Sequence, residues 1–159
     1  MTPRLTSPAL QIRRARPEDA SAIQALYLQL TGQSAVCVLP ERIASLDERS
    51  ALFVAEMNGE MSSIICGTAF VALCADVMYQ FQPFALIENV VVDPGYRGCG
   101  VGAALFRAIE SYCKETQCSK MMLMSASHRH EAHQFFKKQG FSSDAKQAFV
   151  KYRKQFSLL

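Results

Sequence analysis

The chain has 159 residues, half of them apolar, with a formal net charge of +3 and a mean hydropathy near zero. This length corresponds to one globular domain with a sizeable core. The mild charge fits an anionic ligand or an ordinary solvated surface, and it excludes the dense basic stripe of a nucleic-acid-binding domain.

No targeting or membrane-spanning segment is recognisable. Residues 1–9 carry no apolar h-region, so we predict a flexible tail there and a single domain over residues 10–159. The longest apolar stretch, residues 64–75, is too short to span a bilayer. The six cysteines form no C-x-x-C pair. We therefore expect free thiols, a reducing compartment and a cytoplasmic protein without membrane partners.

The first part of the chain predicts short strands and helices in alternation. Residues 11–15 form a predicted strand, and Pro17 opens a helix that Gly32 ends. A second, shorter helix starts at Pro40. Two further strands, over residues 52–56 and 64–71, are predicted to form a hairpin with an Asn58-Gly59 turn, and residues 73–83 are predicted to be a loop.

The most informative run covers residues 87–102. A valine-rich strand breaks at Pro94-Gly95, and a loop with glycines at positions 98, 100 and 102 leads into a helix. Such a loop directs free N–H groups and the positive end of a helix dipole at one spot, which favours phosphate binding. Glycine also lets the main chain approach a ligand closely.

Two well-known glycine motifs do not fit this run. A mononucleotide P-loop needs Lys-Ser/Thr after its last glycine, whereas Val101-Gly102-Ala103 follow Gly100. A dinucleotide fingerprint needs a glycine at position 103 and an acid about 20 residues later, where the chain has Cys118-Ser119-Lys120. A simple connecting turn is the remaining alternative.

Three elements are predicted downstream. Residues 120–124 are a predicted buried strand, and residues 130–139 a predicted helix that Gly140 ends as its C′ residue, with two lysines in the last turn. Residues 149–153 are predicted to be a last strand.

Two motifs carry a family resemblance. Arg97-x-x-Gly100-x-Gly102 after Asp93-Pro94 resembles the pyrophosphate signature of the GNAT superfamily of acyl-CoA-dependent N-acyltransferases. Residues 132–141 resemble that superfamily's A-x-x-F-Y-x-x-x-G-F helix. The resemblance implies an α/β fold. Its central sheet is mixed, mostly antiparallel and about six to seven strands wide, with helices on both faces.

The resemblance also implies an activity and a cosubstrate. It indicates an acetyl-CoA-dependent N-acetyltransferase that moves the acetyl group to a primary amine by direct attack, without a metal. The loop is expected to hold the pyrophosphate, and the preceding strand the pantetheine arm. The cofactor-binding residues it implies are Val90, Val91, Val92, Arg97, Gly98, Cys99, Gly100, Val101, Gly102, Ser127 and Phe135.

Glu88 is the predicted catalytic base. An alkyl amine with a pKa of about 10.4 is neutral in only about one molecule in a thousand at pH 7, so a base helps. Glu88 lies mid-strand, where many family members carry an acid. The alternative is a strand carboxylate paired to an arginine. Strand alternation places Asn89 on the opposite face.

The chain departs from the family pattern in two places. Phe136 stands where the family often has a tyrosine that acts as general acid, so Ser125, Ser127, another tyrosine or water is left for that step. Ala126 and Ser127 stand where an asparagine is often found. An acyl-CoA-binding regulatory module with weak or no catalysis is therefore the alternative function.

The three histidines fall at positions 128, 130 and 133. A metallohydrolase site would need further ligands from distant segments, so helix-capping and surface roles are favoured. Residues 129–135 also resemble the aminoalkylphosphonate acetyltransferase branch, which implies that Arg129 or His130 faces an anionic acceptor.

The expected partner is a small-molecule amine. Its site would be shaped by residues 27–42 and by the loop at 73–83, whose sequence does not identify the acceptor. Dimers are common in the superfamily, so a homodimer is left open.

Overall fold

The computed structural model describes residues 9–32 and 35–157, which form two compact units, one ending at Leu123 and one beginning at Met124. The first unit contains β1 (Ala9–Arg14), α1 (Ala20–Thr31), α2 (Pro40–Ala44), β2 (Ser50–Asn58), β3 (Ser63–Cys74), β4 (Phe84–Val92), α3 (Val101–Glu115) and β5 (Met121–Leu123). The second unit contains α4 (His130–Lys138). The expectation of a single domain stays a prediction.

In the described part of the chain, five strands form one open sheet in the order β1-β2-β3-β4-β5. The first four strands pair antiparallel, and β4 pairs parallel with β5. Parallel neighbours need a crossover connection, and α3 provides it. The predicted mixed, mostly antiparallel sheet is confirmed, whereas the predicted six to seven strands are wrong, because the sheet has five strands within residues 9–32 and 35–157.

The predicted last strand at residues 149–153 is wrong. The segment is irregular and leads into a 3₁₀ turn at Arg153–Gln155. The side chains of Phe149 and Tyr152 are 88% and 65% exposed. A short run of aromatic and β-branched residues is typical of a strand, but it does not reveal whether a sheet edge is there to pair with.

The β2–β3 hairpin differs from its prediction in the turn and in the strand lengths. Gly59 N donates to Ser62 O at 2.9 Å, so the connection has four residues rather than a two-residue Asn58-Gly59 turn. Both strands extend beyond the predicted 52–56 and 64–71.

Helices cover both faces of the sheet, as predicted. Leu52 and Val54 of β2 belong to one buried apolar cluster with Ile23 of α1. Phe53, between them, points to the other face, where its ring meets Tyr112 of α3 edge-on with the ring centroids 5.9 Å apart. The sheet is therefore sandwiched between α1 and α3.

A charged cluster fixes the start of α1. Arg13 of β1 donates to both carboxylate oxygens of Asp19, at 2.7 and 2.9 Å, and to Glu56 of β2 at 2.7 Å. Asp19 also accepts a hydrogen bond from Arg16 N at 2.7 Å. The bonds from Arg13 hold the pKa of the Asp19 and Glu56 carboxyls below their usual range.

The predicted end of α4 is confirmed. Gly140 has a φ of +89°, and it donates to Lys137 O at 3.0 Å, while Phe141 N donates to Phe136 O at 3.1 Å. These two bonds form a Schellman motif, and the Phe136 and Phe141 rings make its apolar contact with centroids 6.5 Å apart.

The structure describes only part of the predicted N-terminal tail, and it describes all six cysteines. Of the predicted tail, residues 1–8 lie outside the described residues, and Ala9 already begins β1. The six cysteines are free, with Cys66 and Cys113 buried. Within the described ranges, every helix is too short or too polar to cross a membrane. The cytoplasmic location stays a prediction.

Candidate active site

A bulge interrupts the pairing of β4 with β3. Glu88 is opposite Phe70, but Val91 is already opposite Thr68, so two residues of β4 take the place of one. Asn89 lies at this point with a left-handed φ of +54°. A β-bulge bends the strand and redirects the side chains around it.

On its other edge, β4 pairs with β5 over residues 85–87 only. The three valines of the expected pantetheine segment, Val90, Val91 and Val92, come after the last of these pairs. A strand that continues past its ladder presents main-chain groups with which an extended ligand can pair. The Val92 carbonyl is already used, because Arg97 Nε donates to it at 3.1 Å.

Asp93 anchors the turn that follows β4. Its Oδ1 accepts a hydrogen bond from Gly95 N at 2.8 Å, and its Oδ2 accepts one from Gln29 Nε2 of α1 at 3.0 Å. These two donors hold the pKa of the Asp93 carboxyl below its usual range. The carboxylate therefore fixes where the chain leaves the sheet for the glycine loop.

The glycine loop, residues 97–102, is open. Gly98 and Gly100 have φ values of +76° and +83°, and a Cβ added to either would meet no described atom within 4 Å. Such left-handed conformations favour glycine. Space is therefore open beside Gly98 and Gly100, and the side chains of Arg97 and Cys99 are exposed.

The loop also directs free amides outward at the start of α3. Gly100 caps the helix without a side-chain hydrogen bond, and the first intrahelical donor is Ala104 N, to Gly100 O at 2.9 Å. Among the described residues, no acceptor is bound by the N–H groups of residues 98–103. Unpaired amides at the positive end of a fifteen-residue helix suit a diphosphate, so this loop fits the pyrophosphate of coenzyme A.

A pocket of about 240 Å³ opens on the sheet face that α1 covers. Its walls include side chains from α1, α2 and the segment before it, and three strands, among them Tyr27, Val38, Arg42, Leu52, Phe70 and Asn89. Burial raises the pKa of Tyr27, and side-chain hydrogen bonds to Asn89 and Thr68 offset part of that effect. The pocket is mostly apolar, with a small polar group at Tyr27 and Asn89.

Glu88 lies on the same sheet face as this pocket. It is directly opposite Phe70, and antiparallel partners project to the same side. The side chain is half-buried, although it is not part of the pocket wall. Within residues 9–32 and 35–157 its carboxylate makes neither an ion pair nor a hydrogen bond, so the arginine-paired alternative is not observed there.

The predicted position of Asn89 is wrong. Strand alternation would place it away from Phe70, but both residues line the same pocket. The bulge breaks the alternation at this residue. An asparagine in the middle of a valine-rich strand was the available clue, because asparagine is rare in strands and tolerates a positive φ.

The remaining predicted site residues lie in the second unit. Ser127 is exposed, and Phe135 is half-buried with its ring edge-on to Phe136 at 5.6 Å between centroids. The Ser125 hydroxyl is buried and has no partner among the described residues. Ser125 and Ser127 are two of the groups predicted to replace the tyrosine missing at position 136, beside another tyrosine or water.

The histidines are placed around the start of α4. His133 shares a hydrogen bond of 2.9 Å with the Ala126 carbonyl, and its ring lies edge-on to His130 with centroids 6.0 Å apart. Arg129 occupies the N-cap position. In the part of the chain that the structure describes, no three or more His, Cys, Asp or Glu residues are grouped as a metal site.

Comparison with known proteins identifies the family. The model of the "Acetyltransferase (GNAT) family" matches residues 18–141. The chain is 32% identical over 134 residues to an aminoglycoside N(6')-acetyltransferase type 1 of Stenotrophomonas maltophilia, covering 82% of this chain and 84% of that one. It is 28% identical over 105 residues to a glucosamine 6-phosphate N-acetyltransferase of Trypanosoma brucei brucei, covering 66% and 69%.

A solved structure agrees. A putative acetyltransferase from Agrobacterium tumefaciens superimposes with a TM-score of 0.75 at 26% identity, over 89% of this chain and 99% of that one. The family match spans most of the sequence, including β4, the glycine loop and α3. The chain belongs to the GNAT family of acetyltransferases, and its enzyme class is N-acetyltransferase.

Proposed function

We propose that this protein transfers the acetyl group of acetyl-CoA to the primary amine of a small molecule by direct attack of the amine. The open glycine loop at the start of α3 is the observation that supports this most strongly. A Cβ added at Gly98 or Gly100 would meet no described atom within 4 Å, and the amides of residues 98–103 have no acceptor among the described residues. A diphosphate is the group that such a loop binds best.

The cosubstrate supplies an acetyl group held as a thioester. In the proposed reaction the acceptor nitrogen forms a bond to the acetyl carbon while the bond from that carbon to sulfur breaks. The products are an N-substituted acetamide and the free thiol, and one proton must pass from nitrogen to the departing sulfur or to solvent. The role of the protein is to align the two reactants and to manage that proton.

Glu88 is the proposed proton acceptor. It lies on the face of the sheet that carries the pocket, at the last position before the bulge, and no described side chain neutralises it. A free carboxylate at the edge of an apolar pocket can take a proton from an ammonium ion directly or through one water molecule.

The departing thiolate needs a proton donor less than the attacking amine needs a base. A thiol with a pKa of about 8.5 is acidic enough to leave without full protonation. The lack of a tyrosine at position 136 would therefore slow the reaction without abolishing it. Ser125 and Ser127 are the proposed alternatives as proton donors. Of the two, Ser125 has a buried hydroxyl without a described partner.

The relatives support a small-molecule acceptor. One is named for a sugar phosphate amine and the other for an aminoglycoside. Both compounds are small amines, although they differ in charge and size. A small-molecule amine is therefore the proposed partner, as the sequence predicted.

The test is Glu88→Gln. We expect the acetylation rate at neutral pH to fall at least about tenfold, because general base catalysis contributes about 100-fold or more. Calorimetric titration with coenzyme A should be unchanged. Glu110→Gln on the exposed side of α3 is the matched control and should leave both unchanged. An unaltered rate in Glu88→Gln would remove Glu88 as the base.

An acyl-CoA-binding module with little catalysis is the second candidate. Phe136 favours it, because its half-buried ring packs against Phe135 and Phe141 and offers no proton at a position where the family often has a hydroxyl. An acceptor screen with detection of released thiol separates the two functions. Clear coenzyme A binding without thiol release from any amine would favour the module.

A further inference from the structure

We propose that the pocket on the α1 side of the sheet selects amines that also carry a negatively charged group, and that Arg42 is the residue that selects them. This inference rests on the proposed function, and it specifies the class of acceptor. It also separates this chain from one of the two relatives, because an aminoglycoside is a polycation.

The charge of the pocket lining favours an anionic acceptor. Arg42 is the one charged side chain among the described residues that line it, and no carboxylate is among them. A polycationic acceptor needs several carboxylates to replace the water it loses on binding. A single arginine in an otherwise uncharged lining would repel such an acceptor and attract an anion.

The guanidinium of Arg42 is available to bind an anion. Its side chain is exposed at the pocket, and among residues 9–32 and 35–157 its guanidinium has neither an ion-pair partner nor a side-chain hydrogen bond. Arg13, by contrast, is fully committed to Asp19 and Glu56. A free guanidinium fork matches the planar geometry of a carboxylate or the oxygens of a phosphate.

The size and walls of the pocket narrow the acceptor further. Its volume of about 240 Å³ lies below the roughly 300–1,000 Å³ of pockets that hold drug-sized ligands. Apolar side chains form most of the wall, including Val38, Leu39, Leu46, Leu52 and Phe70. The acceptor is therefore small and has an apolar body.

The positions of Glu88 and Arg42 determine how the acceptor would be oriented in the pocket. Glu88 is opposite Phe70 on the same face of the sheet, while Arg42 approaches the pocket from α2. A molecule with an amine at one end and an anion at the other can place the amine towards Glu88 and the anion towards Arg42. Such a molecule is a zwitterion, like an amino acid or an aminoalkyl phosphate.

The experiment uses pairs of amines that differ in the anion, and rates are compared per unprotonated amine, because loss of the anion also lowers the pKa of the neighbouring ammonium group. L-Phenylalanine is compared with L-phenylalaninamide, and O-phosphoethanolamine with ethanolamine, with kanamycin as the polycation. The first pair tests a carboxylate and the second a phosphate. We expect kcat/KM, measured by thiol release, to be at least about tenfold higher for the anionic member of one pair, as for a charge-assisted hydrogen bond.

Variants connect this preference to Arg42. In Arg42→Gln the anionic and neutral members of the pair should be used equally well, with the loss confined to the anionic member. Arg107→Gln is the control, because Arg107 is an exposed arginine of α3, on the opposite face of the sheet. It should keep the full preference. Equal use of both members by the unaltered protein, a preference for kanamycin, or a preference that survives Arg42→Gln would each overturn the proposal.

A binding measurement decides the matter even without turnover. With coenzyme A present, thermal stabilisation by the anionic member alone, lost in Arg42→Gln and kept in Arg107→Gln, would support the selection by Arg42. Equal stabilisation by both members, or none by either, would refute it. If the anionic member binds in this way and no amine is acetylated, the proposed catalytic function fails while the inference about Arg42 stands.

Discussion

Gln29 of α1 and Asp93 at the end of β4 are joined by a hydrogen bond of 3.0 Å from Nε2 to Oδ2. The other oxygen of Asp93 accepts the Gly95 amide at 2.8 Å. One carboxylate therefore connects the helix that lines the candidate acceptor pocket to the turn that begins the glycine loop. Asp93 is therefore shared by the candidate acceptor pocket and the glycine loop.

Removing the anchor should weaken cofactor binding. In Asp93→Ala the turn at residues 94–96 loses its cap, and the free amides of the loop lose their fixed direction. We expect calorimetry to show coenzyme A affinity reduced roughly tenfold, in line with the loss of charge-assisted hydrogen bonds.

Asp76→Ala is the matched control for this change. Asp76 Oδ1 accepts Met78 N at 2.8 Å, the same local arrangement as Asp93 with Gly95, but in a different loop. Coenzyme A affinity should be unchanged there. An equal loss of affinity in both variants would show that the effect comes from general loop damage.

Replacing Gly100 with alanine should destabilise the protein through backbone strain. Its φ of +83° is costly for alanine by about 1–2 kcal/mol, although nothing obstructs the new methyl group. Gly32, which ends α1, has a φ of +64° with equally open surroundings. Gly100→Ala and Gly32→Ala should therefore lose similar amounts of stability in urea unfolding.

The two glycine variants should differ in cofactor binding. Gly100→Ala places a methyl group and backbone strain where the diphosphate is proposed to bind, so calorimetry should show much weaker coenzyme A binding. Gly32→Ala should bind it normally. Unchanged binding by Gly100→Ala would contradict the proposed role of the loop.

Local chemistry determined how much of the fold could be predicted. Gly32 and Gly140 were recognisable as helix ends because a glycine after an apolar repeat is the residue that tolerates the left-handed conformation, and both have a positive φ. The strand, glycine loop and helix from β4 to α3 were recognisable because three glycines fall within five positions, and two of them, Gly98 and Gly100, have the left-handed φ that favours glycine. These features depend on neighbours along the chain.

Features that depend on distant partners were not predictable. The bulge at Asn89 arises from the register between β3 and β4, and that register moves Asn89 into the pocket wall. The exposed segment around Phe149 has the aromatic and β-branched residues of a strand without forming one. The free state of Arg42 became visible only once the acidic side chains had been placed.

The cluster of Arg13, Asp19 and Glu56 should contribute strongly to stability. Asp19→Asn removes a charged partner from an arginine whose side chain is 14% exposed. We expect a loss of about 2 kcal/mol in urea unfolding, because Arg13 keeps Glu56 as its counter-ion but loses its charge-assisted hydrogen bonds to Asp19. Glu110→Gln breaks the exposed pair with Lys114 and should cost less than about 0.5 kcal/mol.

The same cluster predicts how stability depends on pH. The pKa values of Asp19 and Glu56 are lowered in the folded protein, mainly by hydrogen bonds from Arg13. The folded state therefore binds fewer protons than the unfolded state near their ordinary values of 3.8 and 4.5. The stabilisation is present above those values and is lost as the pH falls. Asp19→Asn should show a shallower loss of stability over that range.

Cys99 provides a chemical test of the glycine loop. Its thiol is exposed in the loop, and Cys37 is exposed at the acceptor pocket, whereas Cys66 and Cys113 are buried. Burial raises the pKa of Cys113 to about 12, so at pH 8 only about one thiol in 10⁴ would be ionised there. Iodoacetamide should therefore modify Cys99 and Cys37 first, as followed by mass spectrometry of peptides.

Coenzyme A should change this order at one position. A cofactor bound across residues 97–102 would cover Cys99 and slow its alkylation, while Cys37 would keep its rate because it belongs to the pocket and not to the loop. Cys113 should react only after unfolding in urea, with or without cofactor. Alkylation of Cys99 at the same rate in saturating coenzyme A would place the diphosphate elsewhere, because a group held by the amides on either side of this thiol must exclude the reagent from it.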